Sequence, residues 1–216
     1  MKPQIIQQGA EAIIFLDKNQ IIKQRIKKSY RIPEIDIRIR KLRTRNEEKL
    51  LDKASKIVPT PKVINVDEKD KEIIMEFIDG KKLSEYLNSF PFTKQKQICK
   101  QIGESVAKLH DKNIIHGDLT TSNMILFKKS SPLITSKKSS DSEQIFFIDF
   151  GLGFKSHKFE DKAVDIHLLK QALEAKHFKN WKDLFASFIK GYEKSEKTKT
   201  VLERLKAVEK RGRYKH

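Results

Sequence analysis

Cysteine is nearly missing from this chain. Cys99 is the only one, so no intrachain disulfide and no cysteine-based zinc site can form. It falls within an apolar helical pattern with no organised base beside it, which reads as a small core residue rather than a catalytic thiol. No apolar run approaches the roughly 18 residues needed to span a bilayer, and the N-terminus has no apolar signal core. The expectation is a soluble, cytoplasmic protein with no membrane partner. His110, His157 and His177 lack the spacing of transition-metal ligands and are expected as surface or core histidines. Acid is also scarce: 29 Asp and Glu stand against 46 Lys and Arg, a formal net charge of +17. The excess is clustered, with Arg25, Lys27, Lys28, Arg31, Arg38, Arg40, Lys41, Arg43 and Arg45 in one segment and Lys210, Arg211, Arg213 and Lys215 at the end. That clustering favours nucleic acid as a partner.

What is present excludes disorder. Hydrophobic residues make up 38% of the chain, 13 of them Phe, and they recur in periodic runs that can bury surface. Between two such runs lies an acidic polar loop, Ile115-His116-Gly117-Asp118-Leu119-Thr120-Thr121-Ser122-Asn123, answered later by Ile148-Asp149-Phe150-Gly151 after an apolar strand. This residue order matches the catalytic and metal loops of protein kinases. In that match Asp118 accepts a hydroxyl proton, while Asn123 and Asp149 are the ligands for Mg2+.

The rest of the chain supplies what such a site needs. Residues 4–26 read as strands, with the turn Gln8-Gly9-Ala10-Glu11-Ala12 over the phosphates of ATP and Lys23 on the following strand reaching the α and β phosphates. Residues 41–57 fit a helix whose apolar face carries Leu50, Leu51, Ala54 and Ile57. Glu47 lies three, four and seven residues before the first three, so it faces the core, where Lys23 is the available cation. Glu48 is the competing choice, one step round toward solvent. Pro59 and Pro61 end the helix, and two strands follow at Val63–Val66 and Glu72–Ile78. Met75 is expected to line the back of an adenine pocket, with backbone groups of Glu76, Phe77 and Ile78 pairing with the base. Asp79-Gly80 then acts as a hinge.

From there the pattern turns helical. Ile98, Ile102, Val106 and Leu109 mark an amphipathic helix over 94–112 that delivers the chain to the catalytic loop. Met124–Phe127 and Ile145–Ile148 form a strand pair, separated by a Ser- and Lys-rich excursion at 128–144 that reads as a surface loop. Past Gly151 there is no long activation segment and no Ala-Pro-Glu motif, so the usual peptide-docking platform has no room. Asp165 is expected to accept hydrogen bonds from the catalytic-loop backbone or His116. The whole reads as a minimal α+β, two-lobed protein-kinase-like fold, with an N-terminal lobe at 1–78 and a helical C-terminal lobe at 79–216. The basic tail Lys210–His216 is either frayed or an arm for RNA or a neighbouring subunit.

Several stretches narrow the family: Gln8–Ala12, Ile22–Arg25 with Lys28-x-Tyr30-Arg31-x-Pro33, Arg43-Thr44-Arg45-x-Glu47, Gly117–Asn123, Asp149–Gly153, Glu160–Asp165 and Arg211-Gly212-Arg213. Together they closely resemble the small atypical Ser/Thr kinase/ATPase of the KEOPS complex, the PRPK family, in its standalone archaeal-type form. The resemblance implies ATP and Mg2+ as cofactors, with phosphotransfer and ATP hydrolysis supporting threonylcarbamoyladenosine formation next to the tRNA anticodon. It further implies a tRNA threonylcarbamoyl transferase subunit on the C-terminal lobe, a small regulatory subunit on the N-terminal lobe, and tRNA near the basic tail. Two other readings stay open. An aminoglycoside-phosphotransferase-like small-molecule kinase shares the His-Gly-Asp loop but carries an acidic helical insert where this tail is basic. A non-enzymatic tRNA-binding scaffold has no need of the clustered acids.

Overall fold

The computed structural model describes residues 3–128 and 143–212. The first half is an antiparallel sheet built from β1 (Gln4–Gln8), β2 (Ala12–Asp17), β3 (Gln20–Arg25), β4 (Val63–Asp67) and β5 (Glu72–Glu76), in the order β1-β2-β3-β5-β4. The β-branched pairs Ile13-Ile14, Ile21-Ile22 and Ile73-Ile74 favour extended backbone, and the register sets Lys23 opposite Ile14 on one side and Ile73 on the other. One helix, α1 (Pro33–Ser55), is interposed between β3 and β4.

Several boundaries differ from the sequence expectation, most by a residue or two, and two of the differences bear on the site. The helix begins at Pro33 rather than at residue 41. Pro33 sits in the first turn, where its missing N–H is no loss, and Glu34 and Asp36 complement the helix dipole there. Ile35, Ile37 and Ile39 alternate with period two, a strand-like signal that hides this turn; Ile35 and Ile37 are in fact exposed on the helix. The strand expected to reach Ile78 stops at Glu76: its partner β3 begins at Gln20, opposite Glu76, and the Phe77 N–H to the Asn19 carbonyl, 3.2 Å, is the last bond of that pairing.

The second half contains β6 (Lys81–Lys82), α2 (Leu83–Tyr86), α3 (Phe92–Asp111), β7 (Ile114–Ile115), β8 (Met124–Lys128), β9 (Glu143–Phe147), β10 (Phe154–Lys155), α4 (Phe159–Lys176), α5 (Trp181–Tyr192) and α6 (Thr198–Gly212). Helices α3 and α5 meet backbone to backbone. A Cβ on Gly103 would fall 2.0 Å from the Phe188 carbonyl oxygen, and one on Gly191 equally close to that of Lys100. The predicted strand pair is β8 and β9, joined by β6 into a three-stranded sheet. β10 returns at once to pair with β7 and α4 starts at Phe159, so the chain goes from the second acidic loop to the next helix without an activation segment.

One hydrophobic core joins the halves: Leu50, Leu51, Ala54 and Val58 from α1 and its exit pack with Ile98, Leu109, Phe147, Phe150, Ile166 and Phe188. Cys99 belongs to this core, and burial pushes its thiol pKa up to about 12, as an inert cysteine requires. A backbone bond from Phe147 N–H to the Pro59 carbonyl, 2.9 Å, adds a second tie. The greater part of the 128–144 excursion and the tail residues Arg213, Tyr214, Lys215 and His216 lie outside the described residues.

Candidate active site

Alternation along β3 puts Ile21, Lys23 and Arg25 on the same face, and all three line a cavity of about 450 Å³ between the sheet and the helical half. The face is apolar at one end and cationic at the other. Lys23 is 6% exposed and its ammonium reaches two carboxylates, Glu47 Oε1 at 2.6 Å and Asp149 Oδ1 at 2.7 Å. Burial by itself would lower the Lys23 pKa; the charges of Glu47 and Asp149 outweigh it and raise it above the ordinary lysine value. Glu47, not Glu48, therefore faces the core as the helical spacing predicted. A second cation was not foreseen: Arg25 Nη2 donates to Glu47 Oε2 at 2.6 Å.

The catalytic loop is fixed from below. Asp165 on α4 accepts the backbone N–H groups of His116 and Gly117, each at 2.9 Å, and pairs with His110 Nε2 at 3.2 Å. His110 Nδ1 meets the Tyr192 hydroxyl at 2.9 Å. Asp165 thus takes the backbone-holding position expected of it. The Asp118 N–H donates to His116 Nδ1 at 3.3 Å, and His116 Nε2 faces the Ile148 carbonyl at 3.1 Å, which assigns the ring hydrogen to Nε2. Gly117 has φ +78°, and a Cβ there would lie 2.2 Å from the Leu152 carbonyl oxygen; only glycine fits beside the acid. His177, left by sequence as a surface or core histidine, is a buried support of the same loop through Thr121 Oγ1 at 3.2 Å.

Asp118 and Asn123 stand side by side, with Asn123 Nδ2 donating to the Asp118 carboxylate at 2.8 Å and to its carbonyl at 2.9 Å. Both amide hydrogens of Asn123 are thereby spent on Asp118, which leaves its Oδ1 as the donor for a hard cation. Asp149 sits at φ +62°, an uncommon conformation for a non-glycine residue, held by the Gly151 N–H on Oδ1 at 3.1 Å and by Lys23. Burial would raise its pKa, and Lys23 more than reverses that, keeping the carboxyl below the ordinary aspartate value. Among the described residues no group of three or more His, Cys, Asp or Glu forms a metal cage. One carboxylate and one amide oxygen would instead suit Mg2+, a hard cation that takes oxygen ligands.

Every site residue predicted from sequence lines this one cavity: the turn Gly9, Ala10, Glu11 and Ala12; Lys23 and Glu47; Met75, Glu76, Phe77 and Ile78; and Asp118, Asn123 and Asp149. Two of the expected hinge donors are committed within the chain, Glu76 N–H to the Lys62 carbonyl at 2.9 Å and Phe77 N–H to that of Asn19. The Gly9 turn is clamped to the helix side, with Arg43 Nη1 on Glu11 Oε2 at 2.5 Å and Lys28 on the Ala10 carbonyl. Ile14, Ile21, Ile125 and Ile148 also line the cavity. Sequence reading missed them as lining, although the period-two pattern around Lys23 signalled Ile21 and Arg25.

Comparison with known proteins shows the family to which this fold belongs. Residues 19–179 match the protein kinase domain family. The chain is 39% identical to the KEOPS complex subunit Bud32 of Pyrococcus abyssi, across 98% of this chain and 96% of that protein. The chain belongs to the Bud32 family of protein kinases. A probable serine/threonine-protein kinase BUD32 homolog of Archaeoglobus fulgidus is 37% identical, over 95% of this chain and 94% of that one. A probable bifunctional tRNA threonylcarbamoyladenosine biosynthesis protein of Methanobrevibacter smithii is 40% identical over 98% of this chain, which spans only 37% of that longer relative. Among solved structures, the Rio2 kinase-ADP/Mg2+-phosphoaspartate complex from Chaetomium thermophilum superposes with a TM-score of 0.59 at 16% identity, covering 99% of this chain and 71% of that one. At that identity the likeness shows the two-lobed kinase fold alone. No helix among the described residues is long and apolar enough to cross a membrane.

Proposed function

We propose that this chain is an ATP-dependent Ser/Thr phosphotransferase and ATPase that works within a KEOPS-type assembly to support threonylcarbamoyladenosine modification of tRNA. The observation that carries the reading is the Lys23 ammonium bridging Glu47 and Asp149 across the same cavity as the Asp118–Asn123 pair. Kinase chemistry asks for this set of groups. The boundary between the lobes falls at Ile78–Asp79, with adenine between Met75, Ile21 and Ile125 and paired to hinge backbone groups still free after Glu76 and Phe77 have spent their N–H groups. The Gly9 turn covers the phosphates. Lys23, fixed by Glu47, positions the α and β phosphates. Asn123 and Asp149 would hold Mg2+, which would supply neutralising charge at the phosphates. Asp118 orients the attacking hydroxyl and accepts its proton as the new P–O bond forms and the bond to ADP breaks. Water in the same place gives hydrolysis, so one site serves both activities.

The family membership supports the partners. The transferase subunit meets the C-terminal lobe, the small regulatory subunit meets the N-terminal lobe, and tRNA follows the basic patches, all in the cytoplasm. The test is phosphate release from ATP by the wild type and Asp149→Ala, each with and without the transferase subunit and tRNA. Turnover that rises with the partners and vanishes in the variant is the expected result. No partner effect, with efficient transfer to some other protein or small molecule, returns the chain to an ordinary kinase with another acceptor.

A further inference from the structure

Two buried cations on one carboxylate is more than the fixing of Lys23 requires. Glu47 is 1% exposed, and its two oxygens are divided, Oε1 to Lys23 and Oε2 to Arg25, both at 2.6 Å. Arg25 is itself 5% exposed, touches the Arg43 carbonyl at 3.4 Å, and packs where a Cβ on Gly151 would lie 3.3 Å from its Nη2. Its Nε is buried with no hydrogen-bond partner among the described residues. An incompletely satisfied buried guanidinium is costly, so its retention calls for a reason beyond packing.

Charge supplies that reason. A lysine buried against one carboxylate is cancelled by it, and little of its field reaches a neighbouring phosphate. With Arg25 on the other oxygen, the carboxylate is neutralised from its far side and the Lys23–Glu47–Arg25 group keeps one net positive charge. Asp149, whose side chain is 46% exposed, is the more weakly held anion on Lys23. It can turn to a cation once phosphates take its place. We propose that Arg25 is a positioning residue for the nucleotide phosphates: acting through Glu47, it offsets the carboxylate's charge and leaves that of Lys23 for the phosphates. The inference rests on the ATP reading above and names which groups set the affinity for the polyphosphate as distinct from the base.

Calorimetric titration of the full chain with MgADP and, separately, with adenosine tests it, in wild type, Arg25→Met, Arg25→Lys and the double variant Arg25→Met with Glu47→Gln. Arg25→Met is expected to weaken MgADP about tenfold or more while adenosine affinity stays within about twofold. Arg25→Lys restores most of the loss because it restores the charge. The double variant recovers part of it, since removing the carboxylate frees Lys23 again. Equal losses for MgADP and adenosine would mark general damage to the cleft and overturn the proposal, as would unchanged MgADP affinity in Arg25→Met. If Arg25→Met does not fold, the double variant, which removes the buried pair together, decides. MgADP affinity within about tenfold of wild type is expected there, and a larger loss overturns the proposal. A wild-type chain that binds adenosine but not MgADP, or neither, overturns the ATP reading itself and this inference with it.

Discussion

Glu47 and Asp165 are each 1% exposed, yet the first faces two cations and the second faces two backbone N–H groups and a histidine. The partners of Glu47 are long side chains, and one of them also reaches the half-exposed Asp149. On the proposed ATP reading, that side of the cleft holds charge that phosphates would redistribute. Asp165 holds main chain: burial would raise its pKa, but the hydrogen bond and charge of His110 and the His116 N–H outweigh it and keep the carboxyl below the ordinary value. That side is built to keep one geometry. The same residue chemistry thus serves electrostatics above the cleft and loop shape below it, and the difference lies in what each carboxylate is given to bind.

The most severe test of this division acts on turnover. Asp149→Gly removes a carboxylate from the redistributable side, and phosphate release is expected to fall by about two to four powers of ten. Stability should move by no more than about 1 kcal/mol, because glycine relaxes the φ of +62° and the lost ion pair is half-exposed. A large drop in the urea midpoint would mean that Asp149 is structural and would break the comparison. Asp165→Ala should do the reverse. It leaves two buried N–H groups and His110 without their acceptor, costing about 3 kcal/mol or more in urea denaturation. Asp165→Asn should recover part of this by keeping one acceptor oxygen. An Asp165→Ala protein as stable as wild type would show that the loop is held by something else.

The redistributable side was the more legible in sequence. Lys23 follows a β-branched pair on a strand, and helical spacing alone selected Glu47 over Glu48. Both rest on local periodicity, which the fold preserved. Arg25 was readable by the same rule, two residues on from Lys23, but one carboxylate with one lysine already looked complete. The start of α1 was hidden by Ile35, Ile37 and Ile39, whose strand-like alternation competes with the helix-start signal of Pro33, Glu34 and Asp36. On the loop side Asp165 could be guessed from its place after the metal loop. His177 could not: its contacts with Thr121 and Asn88 span 56 and 89 residues, and nothing local announces them.

His177 sharpens the comparison through pH. Burial, with the nearby Lys176 charge, lowers its pKa from the usual 6.5 to about 4. A histidine whose pKa is depressed by folding favours the folded state when neutral. Its contribution is therefore full above about pH 6.5 and is lost as pH falls toward 4, where of order 2–3 kcal/mol has gone. Asp165, depressed from 3.8, begins to lose its own contribution only below that value. Stability measured by urea titration at several pH values should fall in two stages, and His177→Gln should flatten the upper one while leaving the lower. A single stage near pH 4 would remove His177 from the support of the catalytic loop.

The smallest expected effect is at Glu48, and it isolates what placement alone contributes. Glu48 is chemically identical to its neighbour Glu47 but only partly buried on α1. Glu48→Gln is expected to shift stability by less than about 0.5 kcal/mol and to leave MgADP affinity unchanged. The same substitution at Glu47 leaves Lys23 and Arg25 buried side by side with an amide between them, so like charges repel where they had shared an anion. The difference between two adjacent Glu→Gln variants then measures the burial and pairing of one carboxylate with helix propensity nearly cancelled. Equal effects would mean that α1 presents its faces less selectively than the 2.6 Å contacts at Glu47 require.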